Sequence, residues 1–135
     1  PHVPHPDEAR IVDQIIVSTP EDSPVVFSDY GTVPFHLLEA VGWLGGLAVP
    51  DFSIHDPSDS ASTYVLARFI AAFFGVATVA LVYVAGSLAY GRKAGLLAAA
   101  SLALSVLAIQ LSHSYTVDVI LMFWTSLFLV LSACG

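Results

Sequence analysis

The sequence predicts an all-α protein: a multi-pass transmembrane helical bundle carrying an extracytoplasmic loop of amphipathic helices. Three apolar runs, Tyr64 to Tyr90, Ala94 to Leu111 and Thr116 to Cys134, each approach the roughly 20 residues that cross a bilayer as a helix. The chain is 56% hydrophobic and only 11% charged, with a mean hydropathy of +0.80, a balance uncommon in soluble domains. All eight prolines and ten of the eleven carboxylates precede Ser60. The net charge of −7 therefore describes one aqueous face. Residues 1–63 are expected to form the extracytoplasmic loop with interfacial helices, and residues 64–135 the membrane-spanning part.

Prolines at 4 and 6 restrict the backbone ahead of Asp7. Ala9, Ile11, Val12, Ile15 and Ile16 then recur on one helical face, which predicts a short amphipathic helix from Asp7 to Ser18. Asp7 and Glu8 in its first turn suit the positive end of the helix dipole, a structural reason for the pair beside any chemical one. Thr19-Pro20-Glu21-Asp22-Ser23-Pro24 supplies turn chemistry. Val33 to Val49 reads as a second apolar helix, weakened by Gly42, Gly45 and Gly46. Polar segments on both sides predict that it lies at the membrane interface. Asp51 to Thr63 reads as a solvated loop.

Gly91-Arg92-Lys93 holds the only adjacent basic pair, which the positive-inside rule places in the cytoplasm. The loop before Tyr64 and the loop from Ser112 to Tyr115 then face outside, so that Asp7, Glu8, Arg10, Arg68, His113 and Asp118 share one side. Small residues at Gly75, Ala77, Gly86, Ala98 to Ser101 and Ser105 suit close helix packing. The chain starts at Pro1 and stops directly after an apolar run, which reads as an N-terminal fragment with a minimum count of helices.

Several classes drop out. Four Lys and Arg residues in all do not make a nucleic-acid surface. A single cysteine, Cys134, forms neither an internal disulfide nor a multi-cysteine metal site. His2 and His5 beside Asp7 raise a metal reading, but terminal histidines next to prolines are commoner without one. No metal and no cofactor is expected.

The site candidates are ionisable groups in costly places. Arg68 and Asp118 each sit about one turn into an apolar run, where a charge is normally paired, turned to a wet cavity, or snorkelled to the interface. Arg68 is long enough to snorkel, or it contacts an anionic ligand or a carboxylate; Asp118 is too short to snorkel easily. His113 gains weight only from Asp118 five residues on. Asp7 and Glu8 point about 100° apart on a helix and do not share one proton as a dyad, so one does chemistry while the other orients. Arg10 lies on nearly the same face as Asp7, placed to pair with it or to clamp a phosphate bidentately. The plain alternative is a surface ion pair worth under about 1 kcal/mol.

His5-Pro6-Asp7-Glu8-Ala9-Arg10, then Tyr30 and Pro34-Phe35-His36-Leu37-Leu38, resemble the first extracytoplasmic loop of the GT-C glycosyltransferases. That group includes dolichyl-phosphate-mannose protein mannosyltransferases and bacterial aminoarabinose transferases. Arg68-Phe69-Ile70, Gly75-Val76-Ala77-Thr78-Val79 with Tyr83, Gly95-Leu96-Leu97-Ala98-Ala99, and His113-Ser114-Tyr115-Thr116-Val117-Asp118 resemble further motifs in that family's order. The resemblance implies a multi-pass enzyme of the cell membrane that moves a sugar, with inversion, from a polyprenyl-phosphate carrier to an acceptor on the outer side. Asp7 and Glu8 then match the catalytic acidic positions, Arg10 and Arg68 face the donor phosphate, and His113 and Asp118 support the site. The implied partners are the lipid-linked sugar donor and membrane lipids. In one departure, relatives often carry a lysine just before the proline-containing helix, where this chain has Thr32-Val33. Two rival readings stand beside it: a non-catalytic accessory subunit that packs with other subunits of a membrane complex, and a transporter segment using Arg68 and Asp118. The transporter reading leaves the Asp-Glu loop without a purpose.

Overall fold

The computed structural model describes residues 6–17, 32–48, 53–56, 58 and 60–134. Their regular elements are α-helices, with no strand among the described residues. The helices are α1 (Pro6–Val17), α2 (Val33–Ala48), α3 (Ser60–Tyr90), α4 (Arg92–Ala103), α5 (Val106–Ser112) and α6 (Val117–Cys134). The chain divides into two compact units. One gathers the residues up to Ile70 together with Ser114–Thr116; the other takes Ala71–His113 and the chain from Val117 onward.

In the first unit, α1 is organised by its sequence period. Glu8, Ile11, Val12, Ile15 and Ile16 are all buried, and their spacing of three and four is that of a single helical stripe. Proline at the first helical position, Pro6, needs no N–H there. The stripe on α2 is Pro34, Phe35, Leu38 and Gly42, all buried. Its opposite face leaves Trp43, Leu44 and Leu47 more than half exposed. Ile54 is buried over Gly42, where the missing side chain makes room for it.

The helix α3 begins at Ser60, ahead of the apolar run that starts at Tyr64. Part of the expected solvated loop is therefore helical. The cause lies in packing: Thr63 is fully buried and its hydroxyl donates to the Ile54 carbonyl at 3.4 Å. At 31 residues α3 is roughly 46 Å long, more than the roughly 30 Å of a hydrocarbon core. Its polar first turn, Ser60 to Thr63, precedes the apolar stretch.

The second unit holds the rest of α3 with α4, α5 and α6. The turn between α3 and α4 is the single residue Gly91 at φ +88°, a conformation that costs an L side chain strain. Two glycines then let the helices meet: a Cβ added to Gly86 would lie 2.9 Å from the Gly95 Cα, and one added to Gly95 would lie 2.5 Å from the Tyr83 carbonyl oxygen. Small-residue contact of this kind drives helix association where lipid removes the hydrophobic drive. Phe74 of α3 meets Phe123 of α6 edge to face at 4.9 Å between ring centres, the favoured aromatic geometry.

The second apolar run is not one straight span. It breaks at Leu104 and Ser105 into α4 and α5, bent by 64°. Ser105 has the extended backbone of a helix N-cap at φ −67°, ψ 123°, a position its residue type favours. Among the described residues two helices, α3 and α6, are long and apolar enough to cross a membrane, and the bent α4–α5 pair makes a third crossing if it counts as one broken span. With Phe73, Val76, Leu97 and Phe128 each about two-thirds exposed or more, these helices present lipid with the surface it solvates best. The protein is an α-helical membrane protein.

Candidate functional site

The charged cluster of the first unit is built on Glu8. Because Glu8 occupies the leading position of the apolar stripe on α1, its carboxylate is carried inward and is 0% exposed. A buried, isolated carboxylate would be strongly disfavoured without a partner. Arg68 on α3 provides one as a two-point fork: Nε donates to Oε1 at 2.8 Å and Nη2 to Oε2 at 2.9 Å. This planar, charge-assisted arrangement is the strong form of an ion pair. The Arg68 side chain keeps 31% of its surface exposed, and its guanidinium lies 5.9 Å from the centre of the Tyr64 ring one turn earlier. Of the alternatives for Arg68, contact with a carboxylate is the one the structure has.

A second rung lies along the same two helices. The Tyr64 hydroxyl donates to Asp13 Oδ1 at 2.7 Å. Moving forward along α1 from Glu8 to Asp13 moves backward along α3 from Arg68 to Tyr64, so α1 runs antiparallel to the first turns of α3. At the far end of α1, the His55 Nδ1 lies 2.9 Å from the Ile15 carbonyl oxygen, one of the last four carbonyls that a helix leaves unsatisfied.

Tyr115 closes the cluster from the segment between α5 and α6. It is 0% exposed. Its backbone N–H donates to Glu8 Oε1 at 3.4 Å and its phenol donates to the Pro34 carbonyl at 2.6 Å. Burial pushes the phenol well above its ordinary value, which keeps the proton on the donor side of that bond. Glu8 thus accepts from three donors on two elements.

The other candidates fall around this centre or apart from it. Asp7 is half-buried and Arg10 exposed, both on α1. His113 belongs to the second unit, where it ends α5: its Nδ1 lies 2.7 Å from the Ile109 carbonyl oxygen. Asp118 is exposed in the first turn of α6, where a carboxylate meets the positive end of the helix dipole. The structure therefore brings Glu8 and Arg68 together in one contact, with Asp7 next to Glu8 in the chain. His2, His5 and Tyr30 lie outside the described residues. Tyr115 carries a role that sequence reasoning noticed only as part of a motif.

Comparison with known proteins yields one match. The family model described as dolichyl-phosphate-mannose-protein mannosyltransferase matches residues 26–133, most of the chain, including Arg68 and Tyr115. The Asp7-Glu8 pair precedes the matched segment. No curated protein and no solved structure matches the chain significantly.

Proposed function

The chain belongs to the dolichyl-phosphate-mannose-protein mannosyltransferase family, and on that premise we propose that it serves transfer of a sugar from a polyprenyl-phosphate carrier to an acceptor at the outer face of the cell membrane. The single observation that carries this reading further is the division of labour in the adjacent acidic pair. Glu8 is buried and bound to Arg68, while Asp7, one residue earlier, is turned about 100° away from it and is half-buried. In this reading Glu8 holds and Asp7 reacts.

In the proposed step Asp7 takes the proton of the acceptor hydroxyl or amine as that atom attacks the anomeric carbon. The bond from the sugar to the carrier phosphate breaks, its electron pair leaves with the phosphate, and the sugar inverts. A positioned base of this kind contributes about 10²-fold or more. The exposed guanidinium of Arg10 is proposed to meet the charge that develops on the departing phosphate. Arg68, whose fork to Glu8 engages Nε and Nη2, is proposed to add to that field from α3. His113 and Asp118 keep the supporting role proposed for them, and no cofactor enters the step.

Asp7→Asn in the full protein tests the reading. It keeps the shape, deletes the base, and is expected to cost transfer about 10²-fold or more, whereas Glu39→Gln on α2 leaves the rate within about twofold as an ordinary surface change. Transfer by Asp7→Asn at the parental rate would favour the second reading, an accessory subunit in which the acidic pair only holds helices. The complete engagement of Glu8 is the observation that supports that alternative.

A further inference from the structure

Tyr115 joins the Glu8 carboxylate to the start of α2. Its two polar groups do different jobs. The N–H reaches Glu8 Oε1 at 3.4 Å, and the phenol is fixed at 2.6 Å to the Pro34 carbonyl. Both groups belong to a side chain and backbone with no solvent exposure, so neither hydrogen bond competes with water. Arg68 fixes Glu8 within the plane of its fork, and a third donor from a different segment removes freedom that a two-point fork leaves. The shorter bond anchors the longer one.

We propose that Tyr115 is a positioning residue for sugar transfer: anchored by its phenol to Pro34, it holds the Glu8 carboxylate in register on Arg68 and so fixes the first turn of α1 that carries Asp7. This rests on the reading of Asp7 as the base. Tyr115 acts through Glu8, and it touches neither donor nor acceptor. An apolar core residue of the same size would fill the space equally well, but would leave the segment before α6 free to shift against α2 and the third donor free to leave Glu8. Misplacement by a fraction of an ångström to an ångström is what reacting groups tolerate least.

The test is a double-mutant cycle in the full protein, with Tyr115→Phe, Glu8→Gln and both together. Rates are expressed per folded molecule, counted by stoichiometric binding of a polyprenyl-phosphate sugar. Tyr115→Phe keeps the ring and the backbone N–H and removes only the anchor. Its turnover is expected to fall on the order of tenfold with the donor KM within about twofold of the parent, a split that a loss of folded protein does not produce. If Tyr115 acts through Glu8, the double variant is no worse than the poorer single variant by more than about threefold. Parental turnover in Tyr115→Phe, or losses that multiply in the double variant, would overturn the inference. Asp7→Asn run alongside separates the two levels. An inactive Asp7→Asn with a fully active Tyr115→Phe sinks the positioning role alone, and a fully active Asp7→Asn sinks the base and with it this role.

Discussion

Glu8 and Arg68, sixty residues apart in sequence, meet through two parallel hydrogen bonds of 2.8 and 2.9 Å, with the carboxylate sealed from solvent. Everything proposed for the acidic pair turns on this contact, because it removes one of two neighbouring carboxylates from the reacting surface.

Removing one partner of such a pair leaves the other exposed to an environment built for two. Glu8→Ala or Arg68→Ala is expected to destabilise the protein by about 3 kcal/mol or more, and the two changes together by clearly less than the sum of the single changes. Thermal unfolding in detergent, followed as loss of monodisperse protein, reads all of these. Strict additivity would mean that the fork contributes no coupling.

The Tyr64–Asp13 contact should behave differently although its length is similar, 2.7 Å. It sits at an exposed position, where water replaces a lost partner, so Tyr64→Phe and Asp13→Asn are each expected to cost about 1 kcal/mol or less. The same unfolding measurement ranks the two rungs. A larger loss at Asp13 than at Glu8 would reverse the assignment of the primary lock.

Glycine contacts give a third case. At Gly95 an added methyl group meets the Tyr83 backbone carbonyl, which does not yield, and at Gly42 it meets the buried, β-branched Ile54 side chain at its branch. Gly95→Ala and Gly42→Ala are each expected to destabilise by about 1–3 kcal/mol through overpacking. Parental stability of Gly95→Ala would contradict the close approach of α3 and α4.

Membrane sidedness is checked with single cysteines after replacing Cys134. Ser58→Cys is expected to react with an impermeant thiol reagent from outside, and Tyr90→Cys, beside the basic Arg92-Lys93 pair, only after the membrane is opened. The reverse pattern would place Asp7 and Glu8 in the cytoplasm and end the proposed transfer at the outer face.

Much of the fold was legible because its signals are long. The apolar runs of α3 and α6 and the period of Ile11, Val12, Ile15 and Ile16 act over many residues, and each appears as a helix at nearly the expected bounds. The break at Leu104-Ser105 was not, since hydropathy is blind to a bend that leaves composition unchanged. The inward direction of Glu8 was readable in principle: position 8 lies three residues before Ile11 and four before Val12, whereas position 7 has that spacing to Ile11 alone. What no local pattern carries is the partner. Arg68 and the Tyr115 N–H lie far along the chain, and only tertiary packing selects them.

The order of the two charges along the chain has a consequence for biosynthesis. Glu8 emerges from the ribosome sixty residues before Arg68, and domains form roughly in the order they are made. A lone arginine near the middle of an inserting helix raises the cost of insertion by about 2.5–3.5 kcal/mol, and less near its end. Were α1 delivered first to the side on which α3 begins, the guanidinium would meet its counter-ion as α3 inserts. Loss of Glu8 would then be felt first by the insertion machinery, as slower or misoriented entry of α3, before any mature protein exists to be unstable.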